Sequence, residues 1–325
     1  MKFPEDLQKT HVQLLILFGT LLIYLLVKGA VPVLGEALLV LILLEIALMV
    51  AVEVKTGAHD FGWKHELGDT LLALAVAVAI WIGASFLLNT GSPISAVVSC
   101  SMLPNLYRGD FVIVQGSPAD AYDITMSRDE FDALLRDAPS VSWSGGNATV
   151  RGSVYSYCVY YPDAPLCREF TSNPGSVTET SGPLTFHYSQ CGISYANGTK
   201  SEGPCLSSIG FRGKDYPMNF SHNVVVYGSE PGTLFSKVGD IVHRAVFRID
   251  VGGQYYYLTK GDNNPILDAQ VFDYPDSIGN APVPQKNVKG KVLLRVPILG
   301  YYKLVISGYF QEDPQCSTLL SYEHV

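Results

Sequence analysis

Charged side chains are scarce in this sequence. Asp, Glu, Lys and Arg together make up 16% of its 325 residues, whereas soluble domains carry about 25%. Apolar residues reach 48%. This excludes a chain that is disordered throughout, because disorder needs low hydrophobicity and high charge. The shortage of charge, together with the apolar content, indicates a membrane component joined to a water-soluble one.

Basic residues are also in short supply. The chain has 22 Lys and Arg against 30 Asp and Glu, which gives a formal net charge of −8. We expect no nucleic-acid partner, because binding the phosphates needs a basic surface. The sequence contains no glycine repeat and no Cys-x-x-Cys spacing, which excludes collagen-like chains and zinc fingers.

Cysteine is missing from the first 90 residues, and long apolar runs occupy them instead. The runs span 10–27, 31–54 and 71–88, and a helix needs about 20 apolar residues to cross a bilayer. We therefore predict three transmembrane helices within residues 1–90. A cleaved signal peptide is the alternative for the first run, but the run is long for such a peptide and no clear small-x-small cleavage site follows it.

Basic residues in the short loops predict the orientation. Lys2, Lys9, Lys55 and Lys64 lie on one side of the predicted helices and only Lys28 on the other, which places the N-terminus in the cytoplasm. Three membrane crossings then place the residues after 90 on the extracytoplasmic side. All three N-x-[ST] triplets and all six cysteines occur beyond residue 90, as expected in an oxidising compartment. We predict a multi-pass protein of the cell membrane.

Glu45 lies within the second apolar run, where an ionised carboxylate is costly. It is either a functional site in the helix bundle or a protonated Glu that hydrogen-bonds a neighbouring helix. We favour the second interpretation.

Short alternating runs of Val, Ile and Tyr, bounded by Gly, Pro and Asp, follow residue 90 and predict a β-rich domain. Residues 117–221 differ, since they hold four of the six cysteines and all three N-x-[ST] triplets. We predict a β-rich domain formed by 91–116 and 222–310, an α+β insertion at 117–221 and a C-terminal tail at 311–325.

Local signals within the insertion predict one helix and two disulfides. Ser127 and Glu130 have the spacing of a capping box, and Pro139 ends the helical pattern. Six cysteines allow 15 connectivities, among which the short spacings favour the pairs Cys158–Cys167 and Cys191–Cys205.

A serine, a histidine and a carboxylate occur in an order that suits a catalytic triad. Ser101 follows the third apolar run, His243 lies in a strand-like run, and Asp268 follows a Gly-Asp pair at Asp262. A serine hydroxyl is a poor nucleophile until a base takes its proton, and histidine is suited to be that base. Order alone does not establish a triad, because a triad is defined by geometry.

Four motifs in this order resemble those of type I signal peptidases. They cover about residues 90–116 and 222–303. The first motif is S-x-S-M-x-P with R-G-D, and the second is I-V-H-R. The third is T-K-G-D-N-N with a later Asp, and the fourth is G-K-V followed by P-x-L-G-Y. The His of the second motif is that of the archaeal and endoplasmic-reticulum branch, whereas the bacterial branch has a Lys base.

The resemblance implies a mainly β catalytic domain of the signal-peptidase type, with no metal and no cofactor. Ser101 matches the nucleophile, His243 the general base, and Asp268 the carboxylate that orients the base. Asp262 matches a supporting carboxylate. Ser99 matches the hydroxyl that holds the oxyanion beside the Ser101 N–H.

Two positions depart from the family pattern. Cys100 stands between the two serines where Gly is usual, and Asp268 is single where an acidic pair is sometimes seen. Lys260 is an alternative base of the bacterial kind, which its place in the Gly-Asp motif disfavours.

The implied function is that of a membrane-bound serine endopeptidase that removes N-terminal signal peptides from translocated preproteins, with protein translocase and membrane lipid as further partners. One alternative is a non-catalytic glycosylated membrane receptor or accessory subunit on a signal-peptidase-like core. Another is a regulatory membrane protease with one dedicated substrate.

Overall fold

The computed structural model of the chain describes residues 10–27, 32–60, 62–136, 138–306 and 314–322. Two compact units divide between residues 82 and 83. Lys2, Lys9 and Lys28, on which the predicted orientation depends, lie outside the described residues.

The apolar runs of the first unit form helices, because apolar side chains without interrupting prolines favour continuous helical hydrogen bonding. They are α1 (Thr10–Val27), α2 (Pro32–Asp60) and α3 (Trp63–Leu87). The hydroxyl of Thr20 on α1 donates a hydrogen bond of 2.9 Å to Glu45 Oε1 on α2. This contact agrees with the interpretation of Glu45 as a residue that is hydrogen-bonded to a neighbouring helix.

The prediction of three transmembrane helices needs correction. Among the described residues, α3 alone is long and apolar enough to cross a membrane. The apolar part of α1 spans Val12–Tyr24, which is about 20 Å of helix against a hydrocarbon core of about 30 Å. Helix α2 is long enough, but Glu45, Glu53 and Lys55 interrupt its apolar surface.

The second unit continues from the end of α3 with strands and short helices. In chain order these elements are β1 (Ile94–Ala96), β2 (Phe111–Gln115), β3 (Tyr122–Thr125), α4 (Arg128–Leu134), β4 (Ser140–Trp143), β5 (Gly146–Thr149), α5 (Val154–Tyr160), α6 (Pro165–Ser172), β6 (Thr178–Ser181), β7 (Leu184–Tyr195), β8 (Lys200–Phe211), β9 (Lys214–Pro217), β10 (Val224–Gly228), β11 (Asp240–Val251), β12 (Gln254–Lys260), β13 (Phe272–Asp273), β14 (Ile278–Gly279), β15 (Val283–Pro284), β16 (Val288–Val296), α7 (Tyr301–Ile306) and β17 (Thr318–Ser321).

The first sheet has the strand order β1-β2-β16-β10-β11-β12-β15, and β3 pairs in parallel with β11. All pairs along the main order are antiparallel. Strand β11 lies at the centre, and it is buried over most of its length because both of its faces are covered.

The second sheet has the order β5-β4-β6-β7-β8-β9, and the C-terminal strand β17 pairs with β7. Strands β7 and β8 form a long hairpin in which Gly192 faces Glu202. A mainly β architecture was predicted and is observed. The domain boundaries at 90, 116 and 221 stay a prediction.

The two sheets share one hydrophobic core. Phe247 and Leu258 of the first sheet and Leu184 and Ile209 of the second are all buried in it, together with Phe131 of α4. Burying this apolar surface is the main driving force that holds the sheets together. The second sheet is therefore packed directly on the β11–β12 region of the first.

The predicted helix near Ser127 is confirmed as α4. The Ser127 hydroxyl accepts from the Glu130 N–H, and Glu130 Oε2 accepts from the Ser127 N–H at 2.7 Å, so both halves of the capping box form. The prediction of one helix in the insertion misses α5 and α6. They have 7 and 8 residues, about two turns each, which is too short for helical periodicity to stand out.

Both predicted disulfides are present, and a third joins distant parts of the chain. Cys158–Cys167 links α5 to α6, and Cys191–Cys205 links β7 to β8. Cys100 pairs with Cys316 across a sequence separation of 216 residues. The third disulfide ties the segment that contains β17 to the residue directly before Ser101.

Glu179 on β6 is fully buried between the two sheets. Its carboxyl group accepts hydrogen bonds from the Val154 N–H, the Tyr188 hydroxyl and the Gln270 amide. Burial disfavours the charged form and outweighs these hydrogen bonds, so it raises the pKa of Glu179 from 4.5 to about 7.

Replacing Glu179 by Gln should flatten the pH dependence of stability. Because the pKa of Glu179 is higher in the folded state, its protonated carboxyl group contributes its full stability below pH 4.5. That contribution to the free energy of unfolding is lost as the pH rises to about 7. The loss amounts to about 3 kcal/mol in the free energy of unfolding. We expect the unfolding temperature in detergent to fall over this pH range for the native chain and not for Glu179→Gln. The exposed Glu202→Gln on β8 is the control, and it should behave as the native chain does.

Candidate active site

Ser101 lies in a tight turn that a buried methionine anchors. Met102 is fully buried with Val97, Leu106 and neighbouring strand residues. Its carbonyl accepts hydrogen bonds of 2.9 Å from the N–H groups of Asn105 and Leu106. The turn therefore directs the Met102 side chain into the core and leaves Ser101 nearly buried, with 8% of its area exposed.

His243 is carried by the central strand β11, where it pairs with Val225 of β10. Its Nε2 lies 2.8 Å from Ser101 Oγ. The two residues are separated by 142 positions in the chain, so the sheet topology and the Met102 anchor together create this contact. The structure brings the predicted serine and histidine within hydrogen-bond distance.

Asp268 lies on the other side of the imidazole ring. Its Oδ2 is 2.7 Å from His243 Nδ1. Two hydroxyl groups also donate to this oxygen, from Tyr227 on β10 at 2.8 Å and from Thr259 on β12 at 2.6 Å. Asp268 Oδ1 is buried and has no hydrogen-bond partner within the described parts of the chain.

The chemistry of these groups assigns the donor and acceptor roles. An ionised carboxylate only accepts, so His243 Nδ1 carries a proton and Nε2 is free to accept one from Ser101. Burial, and the nearby charge of Asp268, raise the pKa of the Tyr227 hydroxyl. Tyr227 therefore stays protonated and remains a donor to Asp268. The arrangement can remove a proton from the serine hydroxyl and stabilise the resulting imidazolium.

Asp262 lies in a different network. Arg244 on β11 binds it with two hydrogen bonds, Nε to Oδ1 at 2.7 Å and Nη2 to Oδ2 at 2.6 Å, and the Asn105 amide donates to Oδ2 at 2.7 Å. Arg244 also donates to the carbonyl of His222. Asp262 makes no hydrogen bond to His243, so the structure gives the two carboxylates different surroundings.

The Ser99 hydroxyl and the Ser101 N–H, which the sequence predicts as oxyanion donors, both lie beside Ser101 Oγ. The Ser99 hydroxyl is 3.0 Å from Ser101 Oγ. Within the part of the chain that the structure describes, the Ser101 N–H donates to no acceptor. The Ser101 N–H is therefore available to an oxygen atom placed beside Ser101 Oγ, whereas the Ser99 hydroxyl is already bonded to Ser101 Oγ.

Lys260, the alternative base, is buried beneath aromatic rings. Its Nζ donates to the Gly261 carbonyl at 3.0 Å and lies over the rings of Tyr322 and Phe220, 4.9 and 5.6 Å from their centroids. Burial lowers the pKa of Lys260 from 10.5 to about 7. Lys260 makes no hydrogen bond to Ser101 among the described residues, which favours His243 as the partner of the serine.

Sequence reasoning did not assign roles to the other polar residues around the site. Tyr227 and Thr259 hold Asp268, and Arg244 and Asn105 hold Asp262. Arg244 and Thr259 lie within the I-V-H-R and T-K-G-D-N-N motifs, whereas Tyr227 and Asn105 lie outside the four motifs. The motifs therefore identify some of these residues, but they do not predict which carboxylate each one binds, because that depends on how the strands pair.

Comparison with known proteins gives a partial match. No family model matches the chain. A stretch of 69 residues, 21% of this chain, is 32% identical to the signal peptidase complex catalytic subunit SEC11 of Colletotrichum graminicola. The match spans 38% of that subunit's length. Over this stretch the chain is thus similar to one signal peptidase subunit, which supports a signal-peptidase-like family for that part of the chain.

Removing Asp262 should cost more stability than removing an exposed carboxylate in a similar pair. Asp262→Ala leaves the buried Arg244 charge unpaired, and breaking a buried pair costs about 3–5 kcal/mol. The matched control is Asp123→Ala, since Asp123 pairs with Arg248 at 2.6 Å but is 64% exposed, and exposed pairs contribute about 1 kcal/mol or less. Thermal unfolding of both variants measures the difference. Equal unfolding temperatures would contradict a structural role for Asp262.

Proposed function

We propose that the protein is a membrane-bound serine endopeptidase that removes N-terminal signal peptides from translocated preproteins. The observation that carries the proposal is the chain of contacts from Ser101 Oγ through His243 to Asp268, at 2.8 and 2.7 Å. The partial similarity to a signal peptidase subunit supports the same conclusion. The proposal assigns the Ser-His-Asp chemistry of the archaeal and endoplasmic-reticulum branch.

In this proposal Ser101 Oγ attacks the carbonyl carbon at the cleavage site. His243 Nε2 takes the hydroxyl proton as the bond forms and then gives it to the amine of the leaving fragment. The buried carboxylate of Asp268 keeps Nδ1 protonated and stabilises the imidazolium. Water then attacks the acyl-enzyme ester, assisted by the same imidazole, and regenerates Ser101. No metal or cofactor takes part in this sequence of steps.

The oxygen that becomes negative during the attack needs donors beside Ser101. The Ser99 hydroxyl and the Ser101 N–H are proposed to fill that role, since both lie at Ser101 and the N–H has no acceptor among the described residues. Loss of one such donor typically lowers the rate by about 10²–10³.

Helix α3 is the proposed membrane anchor, and it ends 7 residues before the start of β1 and 14 residues before Ser101. A tether of this kind keeps the nucleophile close to a cleavage site that emerges from the membrane, so it supplies proximity. The proposed location is the extracytoplasmic side of the cell membrane, with preproteins, protein translocase and membrane lipid as partners.

Ser101→Ala should abolish cleavage of a signal-peptide-bearing preprotein in detergent, because no other nucleophile is assigned to the site. Ser142→Ala, on an exposed position of β4, is the matched control and should retain the native rate. Gel analysis of cleavage products measures both. Full activity of Ser101→Ala would refute the assignment. Absence of cleavage and of serine acylation in the native chain would favour the non-catalytic receptor or accessory subunit.

Lys260→Met should retain most of the cleavage activity, because His243 and not Lys260 contacts Ser101. The same substitution should flatten the pH dependence of stability above neutrality. A lowered lysine pKa destabilises the folded state fully below pH 7, and this penalty is relieved as the pH rises from about 7 towards 10.5. Cleavage rates and unfolding temperatures measured from pH 6 to pH 10 check both effects. Loss of activity in a folded Lys260→Met variant would point to Lys260 as the base.

A further inference from the structure

The residue directly before the nucleophile is covalently bonded to the C-terminal part of the chain. Cys100 is buried and forms its disulfide with Cys316. Cys316 belongs to residues 314–322, which include β17 and which we call the C-terminal strap. The strap is therefore attached one residue away from Ser101.

Asn263 joins the same two segments a second time. Its side-chain amide donates to the Cys100 carbonyl at 3.2 Å and to the Thr318 carbonyl at 2.9 Å, and its Oδ1 accepts from the Leu320 N–H at 2.7 Å. The backbone N–H of Asn263 donates to the Ser101 carbonyl at 2.7 Å. Asn263 is 5% exposed, so these are buried bonds that hold the nucleophile turn and the strap together.

The strap is itself fixed at both of its ends. At its beginning, Gln315 donates to the Asn263 carbonyl at 3.2 Å and to Asn264 Oδ1 at 2.6 Å. At its end, the Tyr322 hydroxyl donates to the Asn264 carbonyl at 3.3 Å. Between them, β17 pairs with β7 of the second sheet. A strap anchored in this way can resist displacement of the turn that it contacts.

We infer that Cys316 and Asn263 are positioning residues for Ser101, and that they act by fixing the backbone of the nucleophile turn. The inference rests on the proposed function for its catalytic consequence. Ser101 is useful only while its hydroxyl lies within proton-transfer reach of His243, and a displacement of about 1 Å can cost about 10²-fold in rate. Residues 99–101 carry the reacting hydroxyl and both oxyanion donors, so a loosened turn affects all of these groups together.

The test compares two disulfides in the full-length chain in detergent. Cys100→Ala with Cys316→Ala removes the link to the strap, and Cys158→Ala with Cys167→Ala removes a disulfide in the α5–α6 region as the matched control. We expect the first pair to lower kcat for preprotein cleavage by about 10-fold or more, with KM changed by less than about 2-fold. The control pair should leave kcat within about 2-fold of the native value.

Hydrogen exchange measured by mass spectrometry gives a readout that does not depend on activity. Peptides that cover residues 97–106 should exchange faster in the variant that lacks Cys100 and Cys316, and at the native rate in the control. Asn263→Ala is the second variant in case the disulfide variant does not fold. It should show the same faster exchange and the same loss of kcat with the disulfide intact.

The positioning inference is overturned if folded variants of either kind keep native kcat, or if exchange in residues 97–106 is unchanged. Failure of the proposed function gives a different result. The native chain and Ser101→Ala would then be equally inactive, while the exchange measurement would still decide whether the strap fixes the turn.

Discussion

The site depends on one buried negative charge that three neighbouring strands share. Asp268 Oδ2 accepts from His243 on β11, Tyr227 on β10 and Thr259 on β12, and these strands are adjacent in the order β10-β11-β12. A buried carboxylate is costly unless it is well paired and hydrogen-bonded. The same bonds that satisfy the charge also fix the imidazole ring towards Ser101, so the stability of the sheet and the geometry of the site are linked.

The two carboxylates, Asp262 and Asp268, bind different partners because those partners lie on different sides of β11. Asp262 lies two residues after the end of β12 and binds Arg244, and Arg244 is paired with Lys260 across the β11–β12 ladder. Asp268 follows the intervening turn and reaches His243, the neighbour of Arg244 on β11. Adjacent residues on a strand point to opposite faces, so His243 and Arg244 direct their side chains to different sides. Asp262 therefore binds Arg244 on one side of β11, and Asp268 binds His243 on the other side.

The motifs in the sequence predicted Ser101, His243 and Asp268 as a group, because their order and their neighbours resemble a known family. The roles of Tyr227 and Thr259 could not be predicted in the same way, since they follow from the register that pairs Val225 with His243 and Ala245 with Thr259. The disulfide between Cys100 and Cys316 could not be predicted from the sequence for a related reason. Local spacing predicts short loops such as Cys158–Cys167, whereas a distant pair is determined by the fold. In the helical unit, apolar content predicted the helices correctly, but it overestimated how many meet the length and composition of a membrane span.

The second sheet also restrains the turn that contains Asp268. Gln270 lies two residues after Asp268, in the same short turn. Its amide nitrogen donates to Glu179 of the second sheet at 3.1 Å and to Tyr188 at 2.8 Å, while its Oε1 accepts from the Leu267 N–H. The bonds to Glu179 and Tyr188 join the turn to the second sheet. The β-rich unit thus restrains Asp268 from both sheets, and the region predicted as an insertion is in physical terms part of the scaffold that positions the proposed triad.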